Sequence, residues 1–258
     1  MAKTVRIIGL ERFPMVKKGD NLAELIITTA RDELVAFDDG DVIVVAHKIV
    51  SKAEGRTVEL SDVRPSLKAE ALGRATMRDP RLVELVLKEA KRVVKATPEI
   101  LIVENTHGFV CINAGVDKSN VQGEEAFALL PINPDESAKQ IRTKIRKMTG
   151  KEVAVIICDT YSRPFRRGQV EFAIGLAGIS PFRDYRGRKD LFGYVLKVKN
   201  SAIADEIASA AELLIGQGKE AVPVVVVKGL TGVRMTEDAS AGELFISKEE
   251  DLFNGTLP

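Results

Sequence analysis

The chain has 258 residues, with 38 Lys plus Arg against 37 Asp plus Glu and a net charge of +1, so it lacks the basic excess of a dedicated nucleic-acid binder. Hydrophobic residues at 45% and charged residues at 29% are the mix of a globular chain, not a disordered one. Apolar runs such as residues 222–227 are far too short to span a bilayer, and no secretory leader is expected at the N-terminus.

Residues 5–8 read as a short strand. Asp20 is expected to cap a helix from residue 21 to about residue 31, with Leu22, Leu25, Ile26 and Thr29 at helical spacing. Residues 41–50 read as a strand and residues 51–56 as a polar loop after it. Asp79-Pro80 opens a helix with Pro at its first position, and Leu82, Val83, Val86, Leu87, Ala90, Val93 and Val94 form its apolar face. Residues 100–104 and 109–112 flank Asn105-Thr106-His107-Gly108 as a hairpin, and residues 113–120 have the composition of a loop. Asn133-Pro134-Asp135 starts a helix that Gly150 closes, with Ala138, Ile141, Ile145 and Met148 facing inward. Residues 153–158 read as a strand buried on both faces. Ser201 is expected to cap a helix that runs through Ile215 to Gly216, residues 222–227 form the last clear strand, and the chain after residue 231 is weakly patterned. Strands and helices intermingle without regular alternation and no linker divides them. The expectation is an α+β or mixed α/β fold, one domain over residues 1–258 with two interleaved lobes.

Cys111 and Cys158 are expected as buried free thiols in a reducing cytoplasm. With His47 and His107 as the remaining candidates, zinc ligands at usable spacing are lacking. Any metal is therefore expected on oxygen ligands, which points to magnesium or manganese. There is no P-loop and no Gly-x-Ser-x-Gly elbow. Gly216-Gln217-Gly218 with Ala221 matches Gly-x-Gly-x-x-Ala, but it follows a helix and precedes a strand, the reverse of the dinucleotide-binding order. Its backbone amides could still cradle phosphate. Asp117-Lys118-Ser119-Asn120 inverts the order of the guanine-reading motif of small GTPases.

Asp159 stands at the carboxyl end of the buried 153–158 strand, where a rigid backbone delivers a carboxylate into a crevice. Asp117 lies in a second such loop; either Asp could equally serve as a turn residue. Together they could form an oxygen-ligand site for one or two divalent ions. Arg163, Arg166 and Arg167 follow Asp159 closely, Arg183, Arg186, Arg188 and Lys189 come later, and the N-terminal 51–56 loop carries Lys52 and Arg56. Basic side chains gathered in loops, and not on helix faces, favour anion binding. Acidic and basic groups of this kind suit chemistry on a nucleoside triphosphate and an anionic substrate.

Several long segments, in order, carry a resemblance. They are Gly40-Asp41-Val42 through Val50-Ser51-Lys52-Ala53-Glu54-Gly55-Arg56; Asn113-Ala114-Gly115-Val116-Asp117-Lys118-Ser119-Asn120-Val121; Leu129-Leu130-Pro131; Asp159-Thr160-Tyr161-Ser162-Arg163-Pro164-Phe165-Arg166-Arg167-Gly168; Ala173-Ile174-Gly175-Leu176-Ala177-Gly178; Gly187-Arg188-Lys189-Asp190-Leu191-Phe192-Gly193; and Ala204-Asp205-Glu206. The chain resembles the coenzyme F-420:L-glutamate ligases, the gamma-glutamyl ligases of deazaflavin coenzyme biosynthesis, over residues 9 to about 229. The resemblance implies a GTP-dependent amide ligase that needs Mg or Mn, is helped by potassium, works as a cytoplasmic homodimer on L-glutamate and F-420-0, and has an α+β fold of its own. It implies metal positions at Asp117, Asp159, Thr160 and Gln217, with Lys52, Asp117 and Asp159 as catalytic residues. It places nucleotide contacts at Glu11, Arg12, Phe13, Pro14, His47, Lys48, Lys52, Asn120 and the loop Ile215, Gly216, Gln217, Gly218, Lys219, Glu220, Ala221, Val222. Arg163, Arg166, Arg167 and Arg188 are expected to bind the substrate. Three departures stand out: His47-Lys48 where relatives can carry small hydroxyl residues, neutral Gln217 in place of a possible Glu, and Tyr161-Ser162 where Asn-Gly or Phe-Gly can stand. No nitroreductase-like extension is present in the sequence, so no flavin reduction is expected. The competing readings are an amide ligase of the same fold with another acceptor or amino acid, a non-catalytic nucleotide- or deazaflavin-binding module, and a metal-dependent phosphohydrolase.

Overall fold

The computed structural model describes residues 3–247 and 249–251. In chain order the elements are β1 (Arg6–Gly9), α1 (Leu22–Asp32), β2 (Val42–Ala46), α2 (His47–Ala53), β3 (Thr57–Glu59), α3 (Leu67–Thr76), α4 (Pro80–Lys88), β4 (Ala90–Thr97), β5 (Ile100–Asn105), β6 (Val110–Ile112), β7 (Ala126–Ala128), α5 (Pro134–Thr149), β8 (Ala154–Ser162), β9 (Gln169–Ala177), β10 (Arg183–Asp184), β11 (Asn200–Ser201), α6 (Ile203–Ile215) and β12 (Val224–Lys228). The fold is mixed α/β. Among the described residues no helix is long and apolar enough to cross a membrane.

A five-stranded sheet in the order β1-β12-β2-β8-β9 forms the main body. β2 and β8 run parallel at its centre, and the other neighbours pair antiparallel. Strand alternation sends Ile43, Val45, Val155, Ile157, Val224 and Val226 to one face, against residues of α1, α2 and α5. It sends Val42, Val44, Ala154, Ile156, Cys158, Val225 and Val227 to the other face, against α6. Burial on both faces explains the unbroken apolar runs; each such Val or Ile contributes about 1.5–3 kcal/mol. Gly175 is required where β9 meets the start of α5, because a Cβ there would stand 2.4 Å from the Pro134 carbonyl carbon. After α2 the chain leaves this sheet and builds a third core, which includes Leu60, Val83, Val86, Leu101, Val103 and Leu129, under a three-stranded sheet in the order β4-β5-β6, before α5 returns it.

Several boundaries differ from expectation. The strand expected over residues 41–50 ends at Ala46, and His47–Ala53 is a helix, so the expected loop 51–56 begins inside α2. The helix opened by Pro80 stops at Lys88; Ala90, Val93 and Val94 belong to β4, which finds a ladder partner in β5. Asn21, not Asp20, is the N-cap of α1, while Asp20 accepts a hydrogen bond from the Lys17 backbone at 2.7 Å. Ala202, not Ser201, precedes α6. Met148 is 52% exposed, so the apolar face of α5 ends at Ile145. In the region after residue 231, a short helical turn (Ala241–Leu244) carries a capping box and is held to α5 through Asp135, which accepts from Ser240 Oγ at 2.7 Å.

Candidate functional site

Sheet register explains why distant segments meet. Gly9 pairs with Val225, Ala46 N donates to Pro223 O at 2.9 Å, and Ala46 pairs with Cys158. The segment after β1, the helix after β2, the distal half of β8 and the turn before β12 therefore leave from the same end of the main sheet. This end gathers Glu11–Pro14, His47–Lys52, Asp159–Thr160 and the 215–222 turn. The loop from residue 113 joins them through three contacts, one of them Lys48 Nζ donating to Ser119 Oγ at 2.8 Å. Lys48 Nζ lies 2.7 Å from Asp117 Oδ2, and Asn120 Nδ2 donates to Gly218 O at 3.1 Å.

That loop is locally unusual. Asn113, Ala114 and Gly115 all have positive φ, 55°, 56° and 76°. Gly115 admits no side chain, because its Cβ would press on Leu130 at 2.6 Å. Ala114 stores about 1–2 kcal/mol of left-handed strain, offset by its burial in the third core. The chain then turns so that Ser119 N and Oγ both donate to the Asp117 carboxylate, at 2.9 and 2.7 Å. Burial raises the Asp117 pKa, but hydrogen bonds from Lys48 and Ser119 outweigh it and hold the carboxyl below its usual range.

Asp159 is met from the other side of the Lys48 backbone. His47 is 3% exposed, and its Nε2 lies 3.2 Å from Asp159 Oδ1, within ion-pair distance but off the line of a hydrogen bond. His47 Nδ1 faces Ser51 Oγ at 3.4 Å. The side chain expected to contact nucleotide thus sits under the floor of the site and against Asp159. Consecutive residues of α2 address the two acidic groups, His47 toward Asp159 and Lys48 toward Asp117. Tyr161, two residues on along the same face of β8, packs on Phe109, and its buried hydroxyl has no hydrogen-bond partner among the described residues. Burial first, then the charge of Asp159, push that hydroxyl well above its ordinary pKa.

Lys52 lies one helical turn beyond Lys48. No hydrogen bond or ion pair reaches its ammonium group among the described residues, and burial, followed by repulsion from Lys48, lowers its pKa. An ammonium group without a counter-charge favours an incoming anion. Arg56, in contrast, is structural: it pairs with Glu89 at 2.6 Å and donates to Leu130 O at 3.0 Å. Two backbones expected to contact nucleotide are covered by carboxylates. Glu33 accepts from the Glu11 and Arg12 amides at 3.2 and 2.6 Å, and Glu220 accepts from Gly218 N at 2.8 Å.

Thr160 and Gln217 stand together, Gln217 Nε2 donating to Thr160 Oγ1 at 2.8 Å. Two glutamates that sequence reasoning missed flank them: Glu171 on β9 and Glu212 on α6. Burial pushes the Glu171 carboxyl up to about 7 against the hydrogen bond from Thr160. The available signal was a lone charge inside the apolar run of β9. Among the described residues no three His, Cys, Asp or Glu side chains form a metal-holding group. Arg163, Arg166 and Arg167 cap the site end from the turn between β8 and β9, where Arg163 Nη2 donates to Arg167 O at 3.3 Å. Arg188 is not brought to them. It lies 5.6 Å over the Tyr185 ring in the hairpin between β10 and β11. That hairpin is rooted where Arg183 bonds Thr231 O and Gly232 O, past the opposite end of β12.

The body is three-layered α/β, and its acidic and basic groups converge on one end of the main sheet. The model of the F420-0:Gamma-glutamyl ligase family matches residues 11–229, and the chain belongs to that family. It is 42% identical over 251 residues to the coenzyme F420:L-glutamate ligase of Methanothermobacter thermautotrophicus, covering 97% of this chain and 99% of the relative. It is 44% identical over 253 residues to the enzyme of that name from Methanocaldococcus jannaschii, with 97% of each chain covered. Against the one from Archaeoglobus fulgidus it is 43% identical over 253 residues, with 98% of each chain covered.

Proposed function

We propose that the protein is a ligase that joins L-glutamate through γ-linked amide bonds to the deazaflavin precursor F420-0, with GTP as the energy source. The observation that carries this reading is the convergence of Asp117, Asp159 and the unpartnered Lys52 ammonium on one sheet end, in a chain of this family.

Making an amide from a carboxylate requires turning one of its oxygens into a leaving group. The acceptor carboxylate attacks the γ-phosphorus of GTP, its bond to the bridging oxygen breaks, and GDP leaves with the electron pair. The glutamate nitrogen, after losing a proton, attacks the acyl carbon of the resulting acyl phosphate. Inorganic phosphate departs and the amide remains. Lys52 would offset charge on the transferring phosphoryl group, and the Arg163, Arg166 and Arg167 turn would attract the anionic acceptor. The oxygen donors Asp117 and Asp159 on the α2 side of β8, and Thr160 and Gln217 on its other side, each fit a hard cation, since none is sulfur or imidazole. Mg or Mn held there would supply neutralisation of the triphosphate.

The expected result is a GTP-dependent mass gain of the acceptor in glutamate-sized steps with GDP release, and little or none with ATP. Equal rates with both nucleotides overturn the nucleotide assignment, and phosphate release without mass gain overturns the ligase reading.

The homodimer is part of the same proposal. The outer face of the β4-β5-β6 sheet carries Ile100, Val110 and Ile112, exposed at 42%, 59% and 43%. These apolar positions share their face with Lys95 and the Arg92–Glu104 pair, and an exposed face that mixes apolar and paired charged groups in this way favours cover by a second copy. Ile112→Glu is expected to shift the protein from dimer to monomer in light scattering after gel filtration; a wild-type monomer would remove the assignment.

A further inference from the structure

Strand alternation puts Asp159 and Thr160 on opposite faces of β8. Asp159 faces α2, and Asp117 is tied to that helix too, so each acidic group there has a basic neighbour, His47 or Lys48. The Thr160 face is different. Thr160 pairs with Glu171 across the β8–β9 ladder, and its Oγ1 donates to Glu171 Oε1 at 2.7 Å. Glu212 approaches from α6, and Gln217 Nε2 donates to Glu212 Oε1 at 2.6 Å and to Glu171 Oε1 at 3.4 Å. One amide group therefore serves two carboxylates. Glu171 is 4% exposed, and the second oxygen of each glutamate, Glu171 Oε2 and Glu212 Oε2, is shut from solvent with no hydrogen-bond partner among the described residues. Among the described residues no Lys, Arg or His lies within 4 Å of either carboxylate as an ion pair; Lys48 and His47 are paired to Asp117 and Asp159.

Two carboxylates held together without a counter-charge repel each other and forfeit hydration. We propose that Glu171 and Glu212, with Thr160 and Gln217, bind a divalent cation of the magnesium–manganese class between β9 and α6. Two carboxylates, a hydroxyl and an amide that can turn its oxygen inward are hard oxygen donors of the kind such an ion takes. The two glutamates supply the negative charge that neutral Gln217 does not. The inference rests on reading this end of the sheet as a metal-dependent site and adds to it two ligands outside the expected set.

The test uses manganese alone, with the full chain and no nucleotide, following the free-ion signal by electron paramagnetic resonance. Wild type is expected to bind Mn²⁺, and Glu171→Gln and Glu212→Gln each to weaken binding by at least about tenfold, since even outer-shell changes at metal sites reach that size. The second readout is thermal. Mn²⁺ is expected to raise the wild-type melting temperature and to raise that of either variant by clearly less, the Asp117 and Asp159 donors being intact in both. The metal-free variants should melt no lower than wild type, because one buried charge is gone. Binding and melting shifts unchanged in both variants overturn the proposal, as does a wild type that takes up no Mn²⁺ at millimolar concentration. Ligation itself is measured separately: a chain that binds manganese through these glutamates but never couples glutamate sinks the ligase reading and leaves this one standing.

Discussion

Asp159→Ala is expected to lower GTP-dependent glutamate incorporation by about 10²–10³-fold or more, the cost of losing a preorganised charged group at a reacting phosphoryl centre. The fold should survive. Asp159 holds its place in the β8–β9 ladder through backbone pairing with Phe172, and the strand before it is anchored on both faces by Ile156, Ile157 and Cys158. The carboxylate accepts from Thr160 N at 2.8 Å and lies beside His47, so its removal disturbs the neighbours of the site more than the core. Asp159→Asn separates charge from shape: it keeps an oxygen for the Thr160 amide and loses the anion. Steady-state turnover at saturating manganese, beside circular dichroism and a melting curve, decides the matter. A folded Asp159→Ala protein with wild-type turnover excludes Asp159 from the chemistry.

How much of this site was legible in the sequence follows from which contacts are local. The strand carrying Asp159 announced itself, because burial on both faces leaves an uninterrupted apolar run. The α5 helix announced itself too, since Asn133 caps it and Gly150 ends it in the left-handed conformation. α2 did not. It has seven residues, no side-chain cap, and Ile49-Val50 at its centre, a pair that reads as strand until β2 leaves the sheet at Ala46 and the apolar side chains turn onto the core. β4 hid for the opposite reason: Ala90, Val93 and Val94 extend the helical period of α4, and only the ladder to β5 decides against it. The Glu171–Glu212 pair was invisible because its register is tertiary. A β-bulge between Ile157 and Cys158 shifts the β8–β9 pairing by one residue, so Thr160 stands opposite Glu171 and not Phe172. No spacing rule along the chain encodes that shift, nor the packing of α6 that brings Glu212 beside it.

At the far end of the same sheet, Lys228→Ala is expected to cost about 3 kcal/mol and lower the melting temperature by roughly 6–12 °C, with ligation at 25 °C unchanged. Lys228 ends β12, is 7% exposed, and donates to Asp41 Oδ2 and, at 2.9 Å, to Ala36 O; Asp38 Oδ2 lies 2.8 Å away. Asp41 is 3% exposed, so deleting the lysine leaves a buried carboxylate with, among the described residues, only the Asp38 backbone amide, at 2.7 Å, as partner to its side chain. The lower end of the usual range for a broken buried pair applies, because the pair lines an open cavity of about 370 Å³ that admits water. Asp41→Asn in the Lys228→Met background leaves neither charge behind and should recover part of the loss, which a double-mutant cycle reads directly. The pH dependence has a definite sign. Burial lowers the Lys228 pKa, but hydrogen bonds to Asp38 and Asp41 outweigh it and the net shift is upward. A group whose folded pKa is raised stabilises fully below its unfolded value, about 10.4 for lysine, and loses that contribution as pH climbs through the folded value. The gap between wild type and Lys228→Ala should therefore be constant from neutrality to about pH 10 and close above it. A gap that closes on acidification from neutrality to pH 5 would instead place the stabilising proton on another group.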